Sequence, residues 1–264
     1  MRRVLSVLLP LLGLFAAVPG AASPPDPLPA VQERLRAALQ DMDRGLVHAA
    51  QGLAQEGLQG PRTREILARL CAERRQAIDC AAIDPQGVMV VVEPAPFKPF
   101  EGVSVANQPQ VTQVMRQRQP VMSVYFYTAE GVGAVDIEHP VLGGQGDYLG
   151  SVSIIFDPAR LRERLVADLA LPAGAKLFLV QTDGRMLYSD EVAEIGRNLR
   201  EDPLYAQNHE VSSAVERILN QEQGQTGPYQ YRDVSGQVVR RVCRWTSLGL
   251  HGMTWRLGLA QPAP

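Results

Sequence analysis

The side chains best equipped for chemistry are thinly spread. The four histidines, His48, His139, His209 and His251, are far apart in the sequence. Only Asp136, Glu138 and His139 fall together, and on a strand His139 turns away from the two acids, so the three do not read as metal ligands. Gly-x-Ser-x-Gly, His-Glu-x-x-His and Cys-x-x-Cys do not occur, and the glycines of residues 143–150 lack the strand-to-helix setting of a phosphate loop. Asp183 and Asp190 read as turn and helix-cap residues, and residues 200–203 with Tyr205 as a solvated loop in preference to the edge of a second pocket. The expectation is therefore no enzyme, no cofactor and no metal.

What remains is recognition. In residues 121–131, VMSVYFYTAEG, strand alternation sends Met122, Val124 and Phe126 to one face and Ser123, Tyr125 and Tyr127 to the other. Residues 149–156 show the same division, with Ser151 and Ser153 opposite Val152, Ile154 and Phe156. Serine offers a short donor and acceptor, and tyrosine a flat apolar ring with a hydrogen-bonding tip. Such a face suits a small polar ligand as well as it suits solvent.

The elements that carry these faces can be read from periodicity. Leu35, Leu39, Met42, Leu46 and Leu53 recur at steps of three, four and seven, the stripe of an amphipathic helix. The stripe reads equally as a parallel homodimer seam and as a contact with the chain's own core. Gly60 and Pro61 bend this helix, and the apolar pattern runs on through Ile66, Leu67 and Leu70 toward Ile78. A turn at 84–87 then opens a run of short strands and helices. The expected fold class is α+β: a long bent N-terminal helix over 27–82, then two modules with antiparallel sheets, at 83–171 and 172–261.

Residues 1–22 have the order of a secretory leader, with Arg2 and Arg3, a short apolar run and a Gly20-Ala21-Ala22 end, so cleavage after Ala22 and a periplasmic or secreted product are expected. Removing them leaves 24 basic against 28 acidic side chains, a formal charge of −4, which argues against nucleic acid as a partner. Cys71, Cys80 and Cys243 allow one bridge at most. On one continuous helix Cys71 and Cys80 point to opposite sides, so free buried thiols are expected unless the helix ends between them.

The whole arrangement resembles the double Cache extracytoplasmic sensor domains, tandem PAS-like modules carried on a long helix. The pieces that carry the resemblance are GVSVANQPQVTQVMRQRQPVMSVYFYTAEG and HPVLGGQGDYLGSVSIIFDPARL in the first module. In the second they are FLVQTDGRMLYSDEVAEIGRNL and WTSLGLHGMTWRLGL. The resemblance implies a small-molecule pocket in the first module, between its sheet and the loop and helix before the third strand. It places Gln108, Val111, Ser123, Tyr125, Tyr127, Ser151, Ser153 and Ile155 on that pocket. Amino-acid-binding members carry an arginine, an aromatic pair and an aspartate where this chain has Gln108, Val111 and Ile155. Both anchors of an amino acid's two charges are thus absent, and a neutral or singly charged small molecule is the expected ligand. Such a sensor, lacking a membrane output region of its own, would signal through a membrane-bound partner. The alternative is a structural or protein-interaction module with no small ligand.

Overall fold

The structure, a computed structural model, describes residues 26–128 and 131–263. The leader sequence lies outside the described residues. Helix α1 spans Leu28–Glu56 and α2 spans Pro61–Ala72. The Asp26 carboxylate accepts from the Leu28 N–H at 3.1 Å at the start of α1, and Gly57, at φ 89°, ends it. The hydroxyl of Thr63 donates to the Gly57 carbonyl at 3.0 Å and fixes the bend between the two helices.

The first module has strands β1 (Ala77–Ile83), β2 (Met89–Glu93), β3 (Val121–Met122), β4 (Phe126–Tyr127), β5 (Gly133–Leu142) and β6 (Tyr148–Phe156), with helix α3 (Pro109–Gln117) between β2 and β3. The sheet runs β2-β1-β6-β5-β3, with β4 also on β5, and every pairing is antiparallel. After the short helix α4 (Arg162–Val166), the second module repeats the plan. Its strands are β7 (Lys176–Gln181), β8 (Met186–Ser189), β9 (Gly224–Gln225), β10 (Tyr229–Arg232), β11 (Val238–Leu250) and β12 (Met253–Pro262). Helices α5 (Pro203–Ala206) and α6 (His209–Asn220) precede β9, and the sheet runs β10-β11-β12-β7-β8, with β9 on β11. The expected α+β class with two antiparallel sheets behind a long helix is what forms.

Helix α1 lies across both sheets, packing on β5 and β6 and on β11 and β12. Leu35, Leu39, Met42, Leu46 and Leu53 are each 2% exposed or less and belong to one core with Ile137, Val152, Ile154, Leu257 and Trp255. The stripe is therefore spent on the chain's own sheets, and the homodimer seam proposed for it is corrected: these five side chains have no face left for a second copy. Gly45 leaves room for the guanidinium of Arg74, which donates to the Asp41 carbonyl at 3.1 Å and the Leu70 carbonyl at 3.0 Å and clamps α2 onto α1.

A second correction concerns where the helices stop. The expected helix to residue 82 ends at Ala72, and residues 77–83 form the strand β1 between β2 and β6. Ile78, eight residues beyond Leu70, continues a helical spacing by coincidence. Because the helix ends between them, Cys71 and Cys80 reach a Cα–Cα distance of 5.9 Å and form a disulfide, where free thiols were expected. Cys243 stays reduced and buried, its thiol pushed up by that burial.

Candidate functional site

The face of the first sheet turned away from α1 carries the candidate site. On β6, Ser151, Ser153 and Ile155 share this face. Register then places Ile83, Ala81 and Asp79 of β1 on one side of them and Pro140, Glu138 and Asp136 of β5 on the other. Asp79 and Asp136 flank Ile155 across the sheet, and Glu138 flanks Ser153. All three acids are buried.

Helix α3 covers this face. Val111 and Val114 pack inward, with Val111 joining Ala81, Ile83 and Val92, while Ile155 packs with Ile78, Ala134 and Phe97. The Gln110 amide donates to the Gln108 side-chain oxygen at 2.8 Å and approaches the Asp136 carboxylate at 3.5 Å. The Ser151 hydroxyl donates to one oxygen of Glu138, and the other, Oε2, is buried with no hydrogen-bond partner. Burial pushes the Glu138 carboxyl up to about 7 against the opposing pull of that hydroxyl. Where these carboxyls are ionised they accept only, so a donor on the ligand would complement this face.

Six of the eight expected residues, Gln108, Val111, Ser123, Ser151, Ser153 and Ile155, surround this face. The two tyrosines do not, and the reason is a single residue. Met122 pairs with Ile137, but Phe126 pairs with Ala134, so the strand carries one residue more than β5 between those pairs. A one-residue slip reverses every later side chain. Phe126 therefore joins the acid face opposite Ala134, and Tyr125 and Tyr127 leave it. The Tyr125 N–H donates to Gln181 of β7 at 2.5 Å, and its ring packs with the α1 core. Tyr127 meets the Tyr125 ring edge-on at 6.3 Å and is 74% exposed. Ser123 stays on the acid face, where its hydroxyl accepts from the Asp136 N–H at 2.9 Å.

Sequence reading missed Asp79, Asp136 and Glu138. The i, i+2 spacing of Asp136 and Glu138 was the available signal, since it puts two acids on one face of a strand. Asp79 was hidden inside the supposed helix.

The second module holds a cavity of about 70 Å³ between its sheet and α6. Phe178, Tyr205, Tyr229, Tyr231 and Glu194 line it. The Glu194 carboxylate accepts from Ser189 at 2.6 Å, and burial and the neighbouring Glu194 charge push the Tyr205 hydroxyl up. Tyr205 is thus a buried wall residue where a solvated loop was expected. Arg200 is turned outward to Glu216, at 2.9 Å.

Two antiparallel modules on one long helix, each with a sheet face roofed by a helix, are the plan that the resemblance implied. Residues 37–158 match the HK/GC/chemotaxis protein-like sensor domain. That segment, a little under half of the chain, is similar to a sensor-domain family, and the described residues have the Cache-type fold, as the resemblance implied. An extracellular ligand binding receptor from Desulfohalobium retbaense DSM5692 is 30% identical, with 88% of this chain and 38% of that one aligned at a TM-score of 0.71. The chain thus spans well under half of that receptor's length. The ligand-binding domain of the Pseudomonas fluorescens chemoreceptor CtaA, solved with L-serine, is 17% identical, with 89% and 93% coverage and a TM-score of 0.63. The periplasmic sensory domain of the Campylobacter jejuni chemoreceptor Tlp1 is 14% identical, with 89% and 92% coverage and a TM-score of 0.65. No curated protein matches the chain in sequence. None of the described helices is long and apolar enough to cross a membrane.

Proposed function

We propose that the chain is an exported small-molecule sensor whose first module binds a small organic amine, positively charged and without a carboxylate. One observation carries this reading: Asp79, Asp136 and Glu138 stand together on one buried sheet face beneath α3. An ammonium is the complement of such a face, since it supplies donors and charge together. A free amino acid would bring its carboxylate against the same acids. Of the neutral or singly charged ligand expected from the sequence, this reading takes the charged form and gives it a positive sign.

Gln108, Ser123, Ser151 and Ser153 would complete the ligand's hydrogen bonds, and Val111, Phe126 and Ile155 would bound its apolar part. Ligand entry requires α3 to lift, and that displacement is the signal available to a membrane-bound partner. The Cys71–Cys80 disulfide supports export, because such bonds persist in oxidising compartments. Leader cleavage after Ala22 accords with it. The first module is then best bounded from residue 77, and the second from about 172.

A thermal-shift screen against aliphatic monoamines, diamines, amino acids and carboxylates tests the reading. An amine at a hundred times its dissociation constant should add about 2.7 kcal/mol of stability. Stabilisation by carboxylates alone would refute it, and silence across the amines would favour the interaction module with no small ligand.

A further inference from the structure

The strand reasoning about His139 holds: it turns away from Asp136 and Glu138. It does not, however, face solvent. His139 of β5, Asp43 of α1 and His251 in the turn between β11 and β12 converge from three distant parts of the sequence. One ligand atom from each lies within 4.8 Å of the other two. His139 Nε2 stands 2.6 Å from Asp43 Oδ1, and His251 Nε2 stands 2.5 Å from the same oxygen. The two imidazole rings meet edge to face at 5.3 Å.

We propose that Asp43, His139 and His251 form a binding site for a divalent transition-metal ion of the zinc class, bridging helix α1, the first module and the second. Two imidazole nitrogens and a carboxylate oxygen are the donors of three-ligand zinc sites, with water in the fourth position. Zinc holds nitrogen and oxygen ligands at about 2.0–2.2 Å, which sets them roughly 3.3 Å apart in a tetrahedron. The present spacing therefore has to open by roughly 0.7 Å at each nitrogen, a change within reach of a carboxylate rotation.

Two further observations fit. His251 has a φ of 47° in a two-residue hairpin turn followed by Gly252 at φ 83°. Asparagine or glycine adopts that left-handed geometry most readily, so a histidine there holds a less favoured backbone conformation while aiming its ring at Asp43. The trio is also reachable. His139 lines an open groove with Val47, Ala50, Pro120 and Pro140, and the side chains of Asp43 and His251 are 24% and 19% exposed. An ion entering there would tie the two modules to α1 at one point. This inference is independent of the amine pocket, which lies on the opposite face of the first sheet.

The test uses the whole chain without an affinity tag, stripped with chelator and titrated with Zn²⁺ by calorimetry. Wild type should bind one ion per chain, gain thermal stability with it, and show the visible bands of a low-coordinate site when loaded with Co²⁺. His251→Asn suits the turn and keeps the fold, and Asp43→Asn removes the charge at nearly constant shape. Each should stay folded without metal, less stable than wild type by the lost contact at Asp43, yet bind Zn²⁺ more than about 100-fold more weakly, with no Co²⁺ bands. Absence of one-to-one binding by wild type, or wild-type affinity in both variants, would overturn the proposal.

Discussion

Replacing Glu138 with glutamine should change how stability depends on pH. In the unfolded chain this carboxyl titrates near its ordinary 4.5, but in the fold burial pushes it up to about 7. Between those values the unfolded chain has released a proton that the folded chain still holds. Stability must then fall as pH rises through that window, by on the order of 3 kcal/mol in all. Glutamine keeps the shape and a hydrogen-bonding link to Ser151 but does not titrate, so the variant should lack this fall and become the more stable protein above about pH 7. Glu138 and His139 point to opposite faces of β5, and burial is the main cause of the Glu138 shift, while Asp79 and Asp136 on the same face are present in both proteins, so the comparison isolates position 138. Urea unfolding of both proteins in chelator, at steps from about pH 4 to 9, measures the difference directly. Equal slopes in the two proteins, or a uniform loss of stability in the variant, would show that Glu138 is ionised and paired in the fold.

Leu39→Ala and Leu46→Ala should each cost about 2–5 kcal/mol in urea unfolding, because both side chains fill the core between α1 and the sheets. A wild-type dimer converted by them into a stable folded monomer would restore the seam. Removing the disulfide, as Cys71→Ser with Cys80→Ser, should lower stability by about 2–3 kcal/mol for a loop closed over nine residues, and reductant should do the same to wild type but nothing to the double variant. Wild type insensitive to reductant would contradict the bond.

Periodicity was enough to find α1, the turns and the alternation of two α+β units, because these depend on neighbours a few residues apart. The 121–127 strand marks where that logic ends. Its alternation was read correctly to Ser123, but the extra residue before Phe126 is defined only against β5, so nothing local warned that Tyr125 and Tyr127 would change faces. Strand β1 was lost because Leu70 and Ile78 happen to keep helical spacing across the actual helix end. The acid face joins Asp79 to Asp136 and Glu138 through a strand, β6, that carries none of them. The Asp43, His139 and His251 trio needs both modules and α1 to exist at all. Composition along the chain cannot disclose a site whose members meet only by register and tertiary packing.

The central claim is that the first module recognises a cation through its acid face. Calorimetric titration of wild type, Asp136→Asn and Tyr125→Ala with the best-stabilising amine of the screen tests it most directly. The account predicts that wild type and Tyr125→Ala bind alike, because Tyr125 sits at the junction with Gln181, while Asp136→Asn loses about tenfold or more in affinity, the worth of one charge-assisted hydrogen bond. Undiminished binding by Asp136→Asn, or loss confined to Tyr125→Ala, would place the ligand elsewhere and contradict it.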